Sequence, residues 1–250
     1  MVKEIKSERL NERYYKMIHS SGLTVLLYPM KGFSSAYALF GTRYGSIDTT
    51  FRSNETEDYI TVPEGVAHFL EHKLFENENG VDAFELFAKT GASANAFTSF
   101  DRTCYEFTCT DHFEESLEVL LNFVQSPYFT EKTVQKEQGI IGQEIRMLQD
   151  RPGWRVLFNL LNALYQNHPV KVDIGGTVES IAQITPELLY RCYRTFYHPN
   201  NMVLAVAGKF DYQKAIEIVE KCIKPGDEAI QADSKMPEEP REVAQKKISD

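Results

Sequence analysis

The chain has 250 residues, 42% hydrophobic and 12% aromatic, with fourteen glycines and ten prolines, so collagen-like and low-complexity classes are excluded and a sizeable core can form. Its formal net charge is −9 and its sequence pI is about 5.3, a balance that repels phosphate backbones and argues against nucleic acid as a partner. No apolar run approaches the roughly 18 residues of a membrane span, and the first 21 residues mix both charge signs without an apolar core, so neither a span nor a signal peptide is expected.

The predicted elements mix strands and helices. Leu23 to Tyr28 and Ser35 to Arg43 read as strands split by a Pro/Gly stretch, and Ser46 to Pro63 reads as a polar loop. A helix is predicted from about Glu64 to Phe75, and another over Asp82 to Thr90, closed by Gly91. Ala92 to Thr110 is rich in aromatic and β-branched residues and reads as a hairpin bending at Asp101 and Arg102. Amphipathic helices follow over Phe113 to Gln125 and Glu131 to Gln149, joined through Ser126-Pro127, and Leu157 to Tyr165 is helical too. Thr185-Pro186-Glu187 supplies a cap, a proline and an acid for a helix reaching about Phe196. Met202 to Ala207 is a buried-type strand, and Asp211 caps a helix to Cys222. From Lys224 to Asp250 the composition turns proline- and charge-rich and reads as a linker, which leaves residues 1–223 as the folded domain. The four cysteines, Cys104, Cys109, Cys192 and Cys222, show no CxxC spacing and are expected as reduced thiols of a cytoplasmic protein.

The chemistry concentrates in Gly65 to Lys73, GVAHFLEHK. On a helix, Val66, Ala67, Leu70 and Leu74 fall on one face, while His68, Glu71 and His72 share another arc of about 100°. Two histidines one turn apart can converge on one tetrahedral ion, and a carboxylate between them can hold a water without being a ligand. The spelling HxxEH is the reverse of HExxH and is a zinc-peptidase signature. A solvated helix face carrying two histidines is the plainer alternative.

A third ligand is available on the Glu131 to Gln149 helix. Glu137 and Glu144 are two turns apart on one side, and Ile140, Ile141 and Leu148 lie in the same stripe, within roughly 60° of Glu144. Carboxylates in an apolar stripe are costly unless paired or bound to a cation. Glu144 as third zinc ligand, with Glu137 orienting a ligand histidine, satisfies both; a buried salt bridge to Arg146, Arg151 or Arg155 is the alternative. His19, His112, His168 and His198 read as loop, polar-face or turn residues, and Gly175-Gly176 as a loop signal.

With these residues the chain resembles the pitrilysin/insulinase family of zinc peptidases, in particular its bacterial, processing-peptidase-like members. The resemblance runs from about Gly22 to Lys224 and rests on Gly65 to His72, on Asn95-Ala96-Phe97-Thr98 with Asp101, Thr103 and Tyr105, on Glu137 to Glu144, and on Tyr197-His198-Pro199-Asn200-Asn201-Met202. It implies one Zn²⁺ held by His68, His72 and Glu144, Glu71 as general base, and Glu137 in support. It implies that Ala94, Asn95, Ala96, Phe97 and Thr98 form an edge strand that receives an extended peptide by β-augmentation, where an ordinary covered hairpin is the alternative.

The fold it implies is α/β (α+β): a mixed, mostly antiparallel sheet with helices packed on one face. The function it implies is a zinc-dependent metalloendopeptidase acting on peptides or unfolded segments. Members of the family carry a second homologous half that closes the chamber, so this chain is expected to act with such a half. The rival expectation is a non-catalytic peptide-binding subunit, or a half that is inert alone.

Overall fold

In the computed structural model, which describes residues 2–53, 58–78, 80–224 and 229–244, alternation along the strands decides which way the sheet faces. Seven strands run in the order β1-β2-β3-β9-β4-β8-β7: β1 (Lys3–Ser7), β2 (Glu12–Ile18), β3 (Thr24–Pro29), β4 (Ala36–Thr42), β7 (Ser93–Thr98), β8 (Thr103–Cys109) and β9 (Met202–Gly208). Only β3 and β9 pair in parallel; the other neighbours are antiparallel. The register aligns Val25, Leu204, Phe40, Tyr105 and Ala96 in one row, and Leu27, Val206, Ala38, Phe107 and Ala94 in the next. Apart from the half-buried Ala94 and Ala96, these residues are buried, because helices cover that face. The interleaved residues, among them Leu26, Tyr37, Leu39 and Ala205, look out on the opposite face into an apolar groove of about 540 Å³ that the N-terminal hairpin helps to line.

The helices are α1 (Val66–Leu74), α2 (Ala83–Thr90), α3 (Phe113–Val124), α4 (Glu131–Gln149), α5 (Pro152–Leu164), α6 (Val178–Ile181), α7 (Pro186–Phe196) and α8 (Tyr212–Cys222). Their ends follow local chemistry. Asp82, Thr185 and Asp211 accept backbone N–H groups at the starts of α2, α7 and α8, Gly91 closes α2 at φ 72°, and Thr130 forms a capping box with Thr133 on α4. Helix α1 has no side-chain cap. Gly65 begins it at φ 90°, and a Cβ there would sit 2.4 Å from the Gly175 carbonyl oxygen. The close approach of two glycine-containing loops thus sets where the metal-motif helix starts.

The mixed, mostly antiparallel sheet with helices on one face is the expected fold. Two expectations change, and one element is not anticipated. Residues 3–18 form the β1–β2 hairpin; both strands are exposed on both faces for most of their length, so they lack the period-2 alternation that marks a strand. The segment read as a polar loop contains β5 (Thr50–Arg52) and β6 (Ile60–Thr61), too short to show a period, while residues 54–57 lie outside the described residues. Helix α5 starts at Pro152, five residues earlier than its apolar residues suggest, because Pro suits the first helical turn.

Of the segment read as a linker, residues 225–228 and 245–250 lie outside the described residues. The rest lies against the domain. Strand β10 (Asp233–Ser234) pairs with β5, Asp233 meets Arg52 and Tyr59, and the Glu239 carboxylate accepts the backbone N–H groups of Gln166, Asn167 and His168. All four cysteines are buried and free, and Cys104 and Cys109 point to opposite faces of β8.

Candidate metal centre

Helix α1 lies between β7 and β8 on one side and α4 and α7 on the other. Seven of its nine residues are therefore buried, including Glu71 and Lys73 as well as the apolar face. His68 and His72 leave its α4 side with their rings 4.6 Å apart. From α4, Glu144 reaches both: Oε1 is 3.9 Å from His68 Nε2 and Oε2 is 3.5 Å from His72 Nε2. One ligand atom from each of the three residues lies within 4.8 Å of the others.

These spacings suit an ion better than hydrogen bonds. Two donors bound at 2.0–2.1 Å around a tetrahedral zinc stand about 3.4 Å apart, whereas hydrogen bonds would draw them to about 3 Å. The donor set, two imidazoles and one carboxylate, is a zinc set. Glu137, two turns before Glu144, takes the other nitrogen of His72: its Oε1 is 3.0 Å from Nδ1. A single helix thus holds His72 at both ring nitrogens. Neither Glu137 nor Glu144 pairs with Arg146, Arg151 or Arg155 in the described ion pairs, and Arg146 donates instead to the Gly142 carbonyl.

The stripe around the two glutamates is less apolar than the helical wheel implies. Ile141 and Ile145 are buried, but Ile140 and Met147 are 45% and 50% exposed, so Glu144 stands on the border of the core rather than inside it. Helix α4 packs on α1, α5 and α6, and the Glu144 side chain keeps 32% exposure where it meets the α1 histidines.

Electrostatics separates the two histidines. Burial, with a smaller contribution from His72, pushes His68 down to about 3, so its ring is neutral and ready to ligate. Burial also works on His72, but the Glu137 hydrogen bond and the charges of Glu71, Glu137 and Glu144 together hold it above the ordinary imidazole value. His68 Nδ1 is buried without a hydrogen-bond partner. Behind it lies the Gly175-Gly176 turn, where a Cβ on Gly175 would be 3.7 Å from that nitrogen. The Gly-Gly pair, legible only as a loop signal, is therefore part of the wall behind a candidate ligand.

Glu71 is 9% exposed, and burial raises its carboxyl above the usual range while the Thr98 hydrogen bond and His72 oppose the rise. Thr98 Oγ1 donates to its Oε2 at 2.7 Å. Beneath them, Tyr105 and Tyr197, distant in sequence, meet hydroxyl to hydroxyl at 2.9 Å in the core. Strand β7 ends the sheet, so Ala94, Asn95, Ala96, Phe97 and Thr98 do lie on an edge strand. Its bond from Ser99 N–H to the Arg102 carbonyl starts an alternation that turns the backbone groups of Thr98, Ala96 and Ala94 away from β8. The other histidines stay out of the cluster: His19 is buried against Ser21 and Glu220, His168 and His198 cap short 3₁₀ turns, and His112 precedes α3.

A helix-covered mixed sheet bearing two histidines from one helix and a glutamate from another is the arrangement of the inverted-motif peptidase fold that the sequence resembles. Residues 54–178 match the model of insulinase (peptidase family M16), and residues 183–249 match that of the peptidase M16 inactive domain. The chain belongs to the insulinase family, peptidase family M16. It is 54% identical over 219 residues to the uncharacterized zinc protease YmfH of Bacillus subtilis (strain 168), a match that covers 88% of this chain and 51% of that protein. An M16-like peptidase structure from Alicyclobacillus acidocaldarius superposes with a TM-score of 0.89 at 44% identity, over 93% of this chain and 55% of that one. Pitrilysin shares the fold, with a TM-score of 0.72 at 19% identity over 88% of this chain and 24% of its own. The chain thus spans about half the length of the curated relatives it matches first.

Proposed function

We propose that this chain is the metal-bearing half of a zinc metalloendopeptidase. One observation carries the reading: His68, His72 and Glu144 bring their donor atoms together at metal-ligand spacing, with the non-ligand carboxylate of Glu71 on the same helix. His68 and His72 bind through Nε2, Glu144 through its carboxylate, and Glu137 holds His72 in the tautomer and orientation that ligation needs. The zinc, when bound, supplies Lewis-acid polarisation of the scissile carbonyl and a lowered pKa for a water. Glu71 takes the proton from the attacking water and passes it to the leaving amine, and its burial raises the carboxyl toward the pH at which it works. The outward backbone groups of Ala94, Ala96 and Thr98 receive an extended peptide or unfolded segment as an added strand.

A second half of similar length completes the enzyme. The relatives that match this chain run to about twice its length, and among the described residues the Glu144 side chain keeps 32% exposure. The test is elemental analysis of the purified protein with both halves present. Wild type holds about one zinc, His68→Ala loses it, and Glu71→Gln keeps zinc but loses peptide hydrolysis; wild type without zinc, or Glu71→Gln with unchanged hydrolysis, refutes the reading.

A further inference from the structure

Resting on that reading, we propose that Thr98 is a positioning residue that locks the Glu71 carboxylate in one orientation and ties it to the strand on which the peptide docks. Thr98 is the last residue of β7, paired in register with Thr103. Its side chain lies on the helix-covered face with Ala94 and Ala96, and its hydroxyl donates to Glu71 Oε2 at 2.7 Å. A hydroxyl has one proton to give, and here it goes to one carboxylate oxygen, Oε2. Thr98 is also β-branched, so χ1 is stiff and the strand backbone dictates where the hydroxyl points. Thr103 backs it: its Oγ1 lies 3.5 Å from Thr98 Oγ1 and donates to the Tyr44 carbonyl at 2.9 Å.

The same residue turns its backbone N–H and C=O outward from the sheet edge, since the alternation set by the Ser99–Arg102 bond points Thr98 away from β8. A peptide that adds to β7 and reaches its C-terminal end therefore bonds the residue that aims the base. Strand occupancy and base alignment are joined through a single side chain. A sequence reading counts Thr98 only as one more rung of the strand; its hydroxyl role comes from α1 packing on β7.

The experiment compares wild type, Thr98→Val and Thr98→Ser in the zinc-loaded protein with both halves present, together with crystal structures of each in metal-free form. Thr98→Val, which keeps the shape and removes the hydroxyl, is expected to lower kcat about tenfold with KM within twofold and zinc content unchanged, the loss expected for one hydrogen bond to a charged group. Thr98→Ser is expected to recover kcat to within about threefold. In the crystal structures Glu71 keeps one rotamer in wild type and in the serine variant and occupies several in the valine variant. The proposal is overturned by a valine variant that retains kcat within twofold, by one in which Glu71 keeps its single rotamer, or by a serine variant that recovers nothing. The metal-free structures judge the hold on Glu71 without reference to turnover, whereas zinc content and Glu71→Gln judge the peptidase reading, so failure of one is distinguishable from failure of the other.

Discussion

Removing Glu137 tests how much of the metal affinity comes from a residue that never touches the metal. Its Oε1 lies 3.0 Å from His72 Nδ1, and the side chain is only 12% exposed, so water replaces the contact poorly. A bond between a carboxylate and an imidazole N–H contributes about 1.5–3 kcal/mol. Loss of such an outer partner of a metal histidine costs about 10–100-fold in affinity, or about 1.4–2.7 kcal/mol, so the two scales agree. Glu137→Gln falls at the low end because its amide oxygen still accepts from Nδ1–H; Glu137→Ala falls at the high end because nothing then fixes the ring. The assay is competition for zinc between the metal-free protein and a chromophoric chelator at pH 7.5, with a thermal melt to show that the variants fold. A Glu137→Ala variant that binds zinc within twofold of wild type refutes the reasoning.

Zinc uptake at pH 6 is expected to release about one proton. His72, held above the ordinary value of 6.5, is protonated there and must lose its proton to ligate, whereas His68, pushed down to about 3 by burial, is already neutral. Calorimetry in buffers of different ionisation enthalpy reads that number, and release of two protons contradicts the separation of the two rings. The same burial makes the metal-free fold acid-sensitive. His68 has an ordinary value of 6.5 and a folded value of about 3, so its contribution is complete above pH 6.5 and lost as pH falls toward 3; His68→Gln should show a shallower fall in melting temperature over that window, and an equally steep fall contradicts this. Gly65→Ala should cost at least about 2 kcal/mol by denaturant unfolding, because its left-handed φ of 90° alone costs about 1–2 kcal/mol and the Cβ would meet the Gly175 oxygen at 2.4 Å. An unchanged midpoint would show that the two loops part freely.

Much of the site is written in local spacing, and the part that is not belongs to tertiary contact. His68, Glu71 and His72 lie within five residues, so helical geometry alone brings them to one side. Glu137 and Glu144 are likewise joined by α4, whose predicted ends coincide with the observed ones because Thr130 caps it and a turn at Asp150 closes it. What joins the two helices is packing, and no period in the sequence encodes it; the cost of carboxylates in the apolar stripe of α4 pointed to Glu144, and the resemblance to the insulinase family agreed. Thr98 is legible as a residue of the edge strand, but its hydroxyl role, like the place of Gly175, is beyond reach for the same reason. Each acts through a residue on another element, Glu71 and His68, and nothing within a turn of either announces the contact. The β1–β2 hairpin was illegible for the opposite reason: it buries too little on either face for the pattern to record it.

Helix α1 shows why its polar residues are better evidence of chemistry than its apolar ones. A nine-residue amphipathic helix at a surface needs one apolar face, and Val66, Ala67, Leu70 and Leu74 supply it; yet Glu71 and Lys73 are buried as well, because strands β7 and β8 and helices α4 and α7 all pack on α1. Lys73 is paired with Glu76, which accounts for its burial. Glu71 makes no ion pair among the described residues: its hydrogen-bond partner is the neutral hydroxyl of Thr98, and burial raises its carboxyl although His72 opposes the rise. Stability alone would favour an uncharged side chain there. Glu144 stands 3.5–3.9 Å from two imidazoles, too far for strong hydrogen bonds and well spaced for a shared ion. A helix kept for packing would have shed these charges or paired them, as it pairs Lys73. That α1 turns two imidazoles toward a carboxylate of α4, and sets its own carboxylate on the hydroxyl of an edge strand, is the physical reason to read its polar face as a site for chemistry rather than for packing.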